Sequence, residues 1–410
     1  MILSNNKSLL STVLTVTALA FLAACSDGGN NNNNKEKTVK TDSLTITSYN
    51  AGLALNFVPF TNERLVVNEE LLADYDSDVV CLQEVWLPEQ VEGIESALQD
   101  NYPHIYSVDP EQIFSGVPAC TNDEIAGFEG CLRNQCGGLS DSDLVSCGIA
   151  QCSSFLPELS PGCFDGVFDA VGTPGITIDS AIALVTQPGG KFAYGGALGL
   201  ILASKYPLQA REFQDFIDDS SSNHRGALYA EIELNKETFV LGCTHPAANL
   251  SVPYPGSGKH GSWEGENRYM QEQMIAFANN KAGDNPILFA GDFNCSIANA
   301  SNGVDADFPE NCELWLNNGF SDPAAEQLPC TFCSEENLIL EAAGGSGNFF
   351  LDHIFVKNVV TTTPIVAERV FDDPVSIEST VPPSELQPAD SPTMTHPSDH
   401  FGVELELQLP

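Results

Sequence analysis

The chain has 410 residues, a formal net charge of −40 from 16 basic against 56 acidic side chains, and 13 cysteines. Such acidity repels polyanions at long range, and the twelve Lys and Arg side chains beyond residue 40 are scattered singly from Arg64 to Arg369, so no basic stripe exists for a nucleic-acid backbone. The length fits one large two-sheet body with insertions, and no apolar run beyond the first 24 residues is long enough to span a bilayer.

The N-terminus carries Lys7, an apolar run from Leu9 to Ala24, and the small residues Leu22-Ala23-Ala24 before Cys25. The run is shorter than the ~20 apolar residues of a membrane span. It resembles a bacterial lipoprotein signal, which implies removal of residues 1–24, lipid on the Cys25 sulfur, and anchoring at the bacterial cell envelope, on the outer membrane or cell surface. Residues 25–43, with Gly28-Gly29, asparagines 30–34 and three lysines, offer nothing to bury and read as a flexible tether.

From there, short apolar runs bounded by turn residues predict strands at Leu44–Tyr49, Val79–Leu82, Leu198–Ala203, Ala227–Leu234, Phe239–Cys243, Ile287–Ala290, Ile354–Val356 and Val403–Leu407. Helical patterns fall between them at Asn62–Tyr75, Pro88–Leu98 and Asn267–Asn279. The alternation predicts an α/β fold of packed sheets with helices outside. Residues 109–176 break the rhythm with six cysteines and many Gly, Pro and Ser residues; they read as a disulfide-held insertion between a strand near His104–Val108 and another near Ser180–Val185. Setting Cys25 aside leaves an even twelve cysteines, consistent with an oxidising compartment. The six in the insertion are expected to pair among themselves and Cys330 with Cys333, whereas Cys81 and Cys243 lie in apolar runs that suit either a bond or buried thiols.

The strand ends carry the chemistry. Asn50 ends the first strand, Gln83-Glu84 the second, Thr244-His245 follows Phe239–Cys243, and Gly291-Asp292-Phe293-Asn294 follows Ile287–Ala290. Asp352 and Asp399-His400 precede the last two strands. Sheet scaffolds place sites at such ends. Oxygen ligands such as Glu84, Asp399 and Asn50 suit Mg²⁺ or a similar cation, two histidines can divide proton traffic, and a carboxylate such as Asp352 can hold a histidine's tautomer. That combination fits phosphoryl ester hydrolysis.

The ordered series Tyr49-Asn50, Leu82-Gln83-Glu84, Leu202-Ala203-Ser204-Lys205-Tyr206-Pro207-Leu208, Thr244-His245, Gly291-Asp292-Phe293-Asn294, Leu351-Asp352-His353-Ile354 and Ser398-Asp399-His400 resembles the endonuclease/exonuclease/phosphatase superfamily, in the branch of DNase I-like enzymes and neutral sphingomyelinases. The resemblance covers about residues 44–108 and 178–409. It implies a four-layered α/β sandwich, two packed mixed β-sheets flanked by helices, forming a catalytic domain over 44–410 with the insertion at 109–176. It implies Glu84 as principal metal ligand beside Asn50 and Asp399, His400 as general base oriented by Asp352, and His245 as general acid or phosphate donor. Asp292 and Asn294 would bind the attacking water and phosphoryl oxygens, with the choice of base between His400 and Asp292 left open. Arg225 and Arg268 match weaker positions for a phosphate contact.

The expected protein is therefore a monomeric Mg²⁺-dependent phosphodiesterase, with Mn²⁺ or Ca²⁺ as substitutes, anchored to a membrane through Cys25. The tether and the missing basic stripe favour a phospholipid-type, sphingomyelinase-like substrate over nucleic acid. The alternatives are an extracellular DNase I-like endonuclease and, in another class, a non-catalytic surface-binding lipoprotein on the same scaffold.

Overall fold

The computed structural model describes residues 43–108, 114–190, 192–250, 252–255, 258–378 and 393–410. The expected signal, Cys25 and nearly all of the expected tether lie outside the described residues. Eleven strands build two sheets. In chain order they are β1 (Ser43–Asn50), β2 (Val79–Gln83), β3 (His104–Ser107), β4 (Ile201–Ser204), β5 (Gln209–Asp215), β6 (Gly226–Leu234), β7 (Glu237–Thr244), β8 (Ile287–Asp292), β9 (Asp352–Lys357), β10 (Val366–Val370) and β11 (Gly402–Gln408). One sheet has the order β10-β11-β1-β2-β4-β3 and the other β9-β8-β7-β6-β5. Both are mixed, because β1 runs parallel to β2 and β7 parallel to β8 while the other described pairs within them are antiparallel.

Period-two alternation sorts side chains into layers. Leu44, Ile46, Val79, Cys81 and Leu202 of the first sheet meet Leu228, Ala230, Leu241, Cys243, Leu288 and Ile354 of the second in one core between the sheets. The alternate residues Tyr49, Val80, Leu82 and Ile201 face outward against helices α1 (Thr61–Ala73) and α2 (Pro88–Leu98), which supply Leu72, Ile94 and Leu98. On the far side, Tyr229, Val240, Phe289 and Phe355 pack against Met270 and Met274 of a long helix, Trp263–Ala282, and Trp315 of the helix Pro309–Asn317. This is the expected four-layered sandwich.

In the insertion and just after it the structure corrects the sequence reading. Residues 178–185 form a helix, not a strand: Thr177 caps it by accepting from Ser180 N, and Ser180 Oγ accepts from Thr177 N in return. Three more helices, α3 (Asn122–Gln135), α4 (Asp141–Cys152) and α5 (Pro161–Val171), precede it. Side-chain caps at Thr121 and Ser160 mark the starts of α3 and α5. Strand β4 begins at Ile201 rather than Leu198, because Gly199 sits at φ +65°, where a β-carbon would collide with the Trp86 ring, and its carbonyl accepts from Val85 N. The long helix starts four residues before Asn267, at Trp263, capped by Ser262.

Among the described residues six disulfides are present: Cys120–Cys163, Cys131–Cys152 and Cys136–Cys147 within the insertion, Cys295–Cys312, Cys330–Cys333, and Cys81–Cys243. The last joins β2 to β7 across the inter-sheet core and closes 162 residues of chain. Among the described residues no helix is long and apolar enough to cross a membrane.

Chain-entropy reasoning for so long a loop gives the Cys81–Cys243 bond about 5 kcal/mol as an upper figure. The Cys81→Ala/Cys243→Ala double variant is expected to lose about 2–5 kcal/mol of unfolding free energy in urea under oxidising conditions. A loss below about 0.5 kcal/mol, the size of an ordinary surface change, would show that the bridge does not hold the two sheets.

Candidate active site

The sheets bring their polar ends to one place. Asn50 and Gln83 are register partners in the parallel β1–β2 pair, so Glu84 leaves the sheet beside Asn50. Asp292 and Asp352 are partners at one end of β8–β9, and the parallel β7–β8 pair sets Thr244 beside Gly291, which delivers His245 next to Asp292. The Cys81–Cys243 bond lies three residues before Glu84 and two before His245, so it couples the two strand ends covalently.

Asn50 is the tie between the sheets. Its Nδ2 donates to Asp292 Oδ2 at 2.9 Å and Glu84 Oε1 at 3.3 Å, while its Oδ1 accepts from Gly52 N at 2.9 Å. His245 Nε2 lies 3.5 Å from Asp292 Oδ2 and 4.0 Å from Glu84 Oε1. His400 Nδ1 bonds Asp352 Oδ2 at 2.8 Å, leaving Nε2 3.8 Å from Asp292 Oδ2. Asn294 donates its backbone N–H to Asp292 Oδ1 at 2.9 Å and its Nδ2 to Pro246 O at 3.2 Å. Asp399 Oδ1 accepts from Ser398 Oγ at 3.2 Å, and a β-carbon on Gly52 would collide with it. Glycine at φ +57° is therefore required there. Glu84 and Asn294 also sit at positive φ, at 59° and 49°, a conformation that persists where surrounding contacts over-determine it.

The electrostatics follow from crowding. Glu84 is pushed above the usual carboxylate range by burial, then by the charge of Asp399. Asp292 is raised by burial as well, with His400 opposing the shift. His400 shows the reverse balance: burial disfavours the imidazolium, but Asp352 and Asp292 outweigh it and hold the pKa well above the ordinary histidine value. His245 is held well below that value by burial, then by Arg225 and His400. It is a neutral ring, suited to donating a hydrogen bond to a phosphoryl oxygen rather than to delivering a proton.

Ligand atoms of Asp292, Asp352 and His400 converge within 4.8 Å, a buried group able to hold a metal. The Nδ1 bond from His400 to Asp352 argues that this pair serves proton transfer, with cation binding falling to the carboxylates beside it. The donor set fits a hard divalent ion: buried Asp292 and Asp352 beside half-buried Glu84 and Asp399, mutually repelling carboxylates whose charge only a cation or protons can offset.

Arg225 is buried, donates to His245 O at 3.3 Å and lies 5.7 Å above the Trp86 ring. Arg268 does not join it: its guanidinium forms an exposed i,i+4 ion pair with Glu272 on the long helix. That helix approaches the site through different residues. Asn267 Nδ2 donates to Ala247 O at 2.7 Å and Phe293 O at 3.0 Å, and Gln271 Nε2 reaches the same Phe293 carbonyl.

Sequence patterns assign no role to Arg64, yet it is fully buried. Its guanidinium donates to the carbonyls of Pro59, Ala51, Gly52 and Pro397, joining the loop after Asn50 to the segment that carries Asp399. Asn68, one turn along, bonds Pro397 O and accepts from Tyr49 OH. The signal was available: Thr61, Arg64, Asn68 and Leu72 share the buried stripe of α1, where two long polar side chains are out of place unless they satisfy something.

His353 belongs to the frame. Nδ1 faces Asp322 Oδ2 at 2.6 Å and Nε2 faces Cys295 O at 2.9 Å, so both ring nitrogens meet acceptors, and the ring stacks on Phe355. Cys295 and Cys312 beside it are bonded to each other and are not free to ligate a metal. Burial opposes the charged ring, but Asp322 overcomes it and raises the pKa. A raised folded-state pKa gives stability that is full below the ordinary value of about 6.5 and is lost as pH climbs through the folded value. The stability advantage of the parent over Asp322→Asn, read from urea midpoints, is expected to shrink from about pH 6 to about pH 9. An advantage constant across that window would contradict a charged His353.

Residues 63–400 match the Endonuclease/Exonuclease/phosphatase family. Among solved structures, sphingomyelinase C from Streptomyces griseocarneus aligns at TM-score 0.51 and 17% identity over 89% of this chain and 99% of that one. A beta toxin variant from Staphylococcus aureus, crystallised with bound magnesium ions, aligns at TM-score 0.51 and 14% identity over 88% of this chain and 99% of that one. No curated protein matches the chain. With the family matched across most of its length, the chain belongs to the endonuclease/exonuclease/phosphatase family and is, at that level, a phosphoesterase.

Proposed function

We propose that the chain is a divalent-metal-dependent phosphodiesterase whose substrate is a phospholipid-type diester. The observation that carries the reading is the buried meeting of Glu84, Asp292 and the Asp352–His400 dyad around Asn50, with a neutral His245 opposite. Glu84 and Asp399 would hold Mg²⁺, with Asn50 alongside. A bound divalent cation supplies charge for the phosphoryl and leaving oxygens and offsets the carboxylate field that keeps His400 protonated. His400 Nε2 then takes the proton of the attacking water, and Asp352 fixes Nδ1–H and stabilises the resulting imidazolium. The water oxygen bonds to phosphorus as the ester P–O bond breaks; the departing alkoxide takes a proton from solvent and His400 returns its proton to solvent, leaving a phosphomonoester and an alcohol. His245, Asn294 and Arg225 donate to the phosphoryl oxygens, and Asp292 orients the water.

The preference for lipid rests on the chain's own properties. A net charge of −40 repels a polyanion such as DNA, and the lipoprotein-like N-terminus would set the enzyme on a membrane through Cys25. Sphingomyelinase C shares the fold. Envelope anchoring predicts that labelled palmitate enters the parent protein and not Cys25→Ser; equal labelling would rule out Cys25 as the anchor.

The test of the reaction uses bis(p-nitrophenyl) phosphate with Mg²⁺ and with EDTA. Chelation and Glu84→Gln are each expected to remove at least ~100-fold of turnover, and His400→Ala to lower kcat by roughly 10²–10⁴ with Mg²⁺ affinity kept. Chelator-insensitive turnover, or full activity in His400→Ala, would reject this mechanism. Cleavage of double-stranded DNA faster than a sphingomyelin-type lipid would transfer the substrate assignment to nucleic acid.

A further inference from the structure

Beside the catalytic strand ends the insertion encloses a cavity of about 310 Å³. Its floor and sides are Ile125, Phe128 and Leu132 of α3, Leu144 and Ile149 of α4, Phe168 of α5 and their neighbours. Of the twenty described residues lining it, Asn249 is the one with a polar side chain, and none is charged, in a chain carrying 56 acidic residues. A lining this apolar favours apolar ligands over ordered water, which would find no polar partners on it. Its volume lies at the lower end of the roughly 300–1,000 Å³ typical of small-molecule sites.

Two walls come from the catalytic loops. Phe57 sits in the loop that follows Asn50, and Asn249, Leu250 and Val252 sit in the loop that follows His245. Phe57 is 38% exposed, and Asn249 is exposed and donates to Asp307. The cavity therefore meets solvent beside both catalytic loops, with its only polar side chain at that rim. The insertion is docked to the same loop through Asn56, whose Nδ2 bonds Val171 O at 2.7 Å and Thr173 O at 3.1 Å. Trp86, two residues beyond Glu84 and 6.1 Å from the His245 ring, stacks on Tyr194, whose hydroxyl donates to Leu55 O. The disulfides Cys120–Cys163, Cys131–Cys152 and Cys136–Cys147 hold helices around the cavity, so its shape does not depend on a ligand to form.

We infer that this cavity is a binding site for one hydrocarbon chain, the tail of the phosphoester whose head lies at Glu84 and His245. The inference rests on the phosphodiesterase reading and adds to it a chain-length specificity housed in the insertion. A neutral, unbranched tail is the ligand chemistry that the lining accepts. A sugar or base would leave its polar groups unpaired against Phe, Leu and Ile.

The test is a series of n-alkanols from hexanol to dodecanol, titrated calorimetrically into the full chain in EDTA, where no turnover occurs. Affinity is expected to rise roughly three- to fourfold per methylene and then level off once the cavity is full. In Ala181→Phe, which places a ring in the cavity, decanol affinity is expected to fall at least tenfold. Hydrolysis of bis(p-nitrophenyl) phosphate should stay within twofold, while kcat/KM for a long-chain diester falls at least tenfold relative to a short-chain diester with the same head. No saturable alkanol binding by the parent, or affinity independent of chain length, would overturn the site without reference to any variant. Normal alkanol binding with kcat/KM equal for long and short diesters would overturn its assignment to the substrate tail. Absence of bis(p-nitrophenyl) phosphate turnover in the presence of Mg²⁺ would instead strike the phosphodiesterase reading.

Discussion

Everything at the site depends on keeping Glu84, Asp292, Asp352 and Asp399 close together out of bulk water. Like charges in a buried place repel and are poorly solvated, which raises Glu84 and Asp292 and keeps His400 protonated. The fold resists that repulsion by distributing the carboxylates over both sheets and locking the sheets together. Asn50 donates to carboxylates from each, and the Cys81–Cys243 bond crosses the core just behind them. Buried polar side chains then tie each loop down by its backbone. Arg64 and Asn68 hold the Ala51–Gly52 and Pro397 carbonyls, Asn267 and Gln271 hold Ala247 and Phe293, Asn337 donates to Ser398 O, and Thr331 Oγ1 accepts from Asp352 N. Each bond meets a carbonyl or N–H that would otherwise be buried unpaired, and each removes freedom from a residue next to a catalytic one.

The three histidines of the two neighbourhoods show how surroundings decide role. His353 follows Asp352 and His400 follows Asp399, so local sequence makes them look alike. His353 spends both nitrogens on Asp322 and Cys295 O within an aromatic cage, whereas His400 spends one on Asp352 and turns the other toward Asp292. His245 has a buried Nδ1 with no described partner and a cationic neighbour, and it stays neutral. Under the proposed function these are a structural ring, a base awaiting charge compensation and a neutral donor, three outcomes of one side chain.

The strands were legible because burial on two faces leaves runs such as Val79–Leu82 continuous, and burial on alternate residues leaves Leu44 and Ile46 in step. The strand-end polar residues were legible for the same reason, standing where the apolar run stops. Less could be read where stability comes from cross-links. Residues 109–176 were harder to read because their cysteines, glycines and prolines point to cross-links and turns, and the eight-residue apolar run at Ile178–Val185 is short enough to pass for a strand. The partnership of Cys81 with Cys243 depends on two sheets facing each other across 162 residues, which no local pattern encodes. Arg64 was hidden differently, since an arginine on a helix ordinarily means solvent. Arg268 was the converse, an arginine beside an inward-facing Asn267 that itself points to water and Glu272.

Whether the crowded carboxylates form a cation site is read out by Mg²⁺ titration calorimetry of the metal-free protein with Glu84→Gln alongside. The parent is expected to bind Mg²⁺ saturably, with proton release as the raised carboxylates and His400 surrender protons, and Glu84→Gln to lose at least ~10-fold in affinity. Indistinguishable titrations of the two proteins, or no binding by either, would contradict such a site.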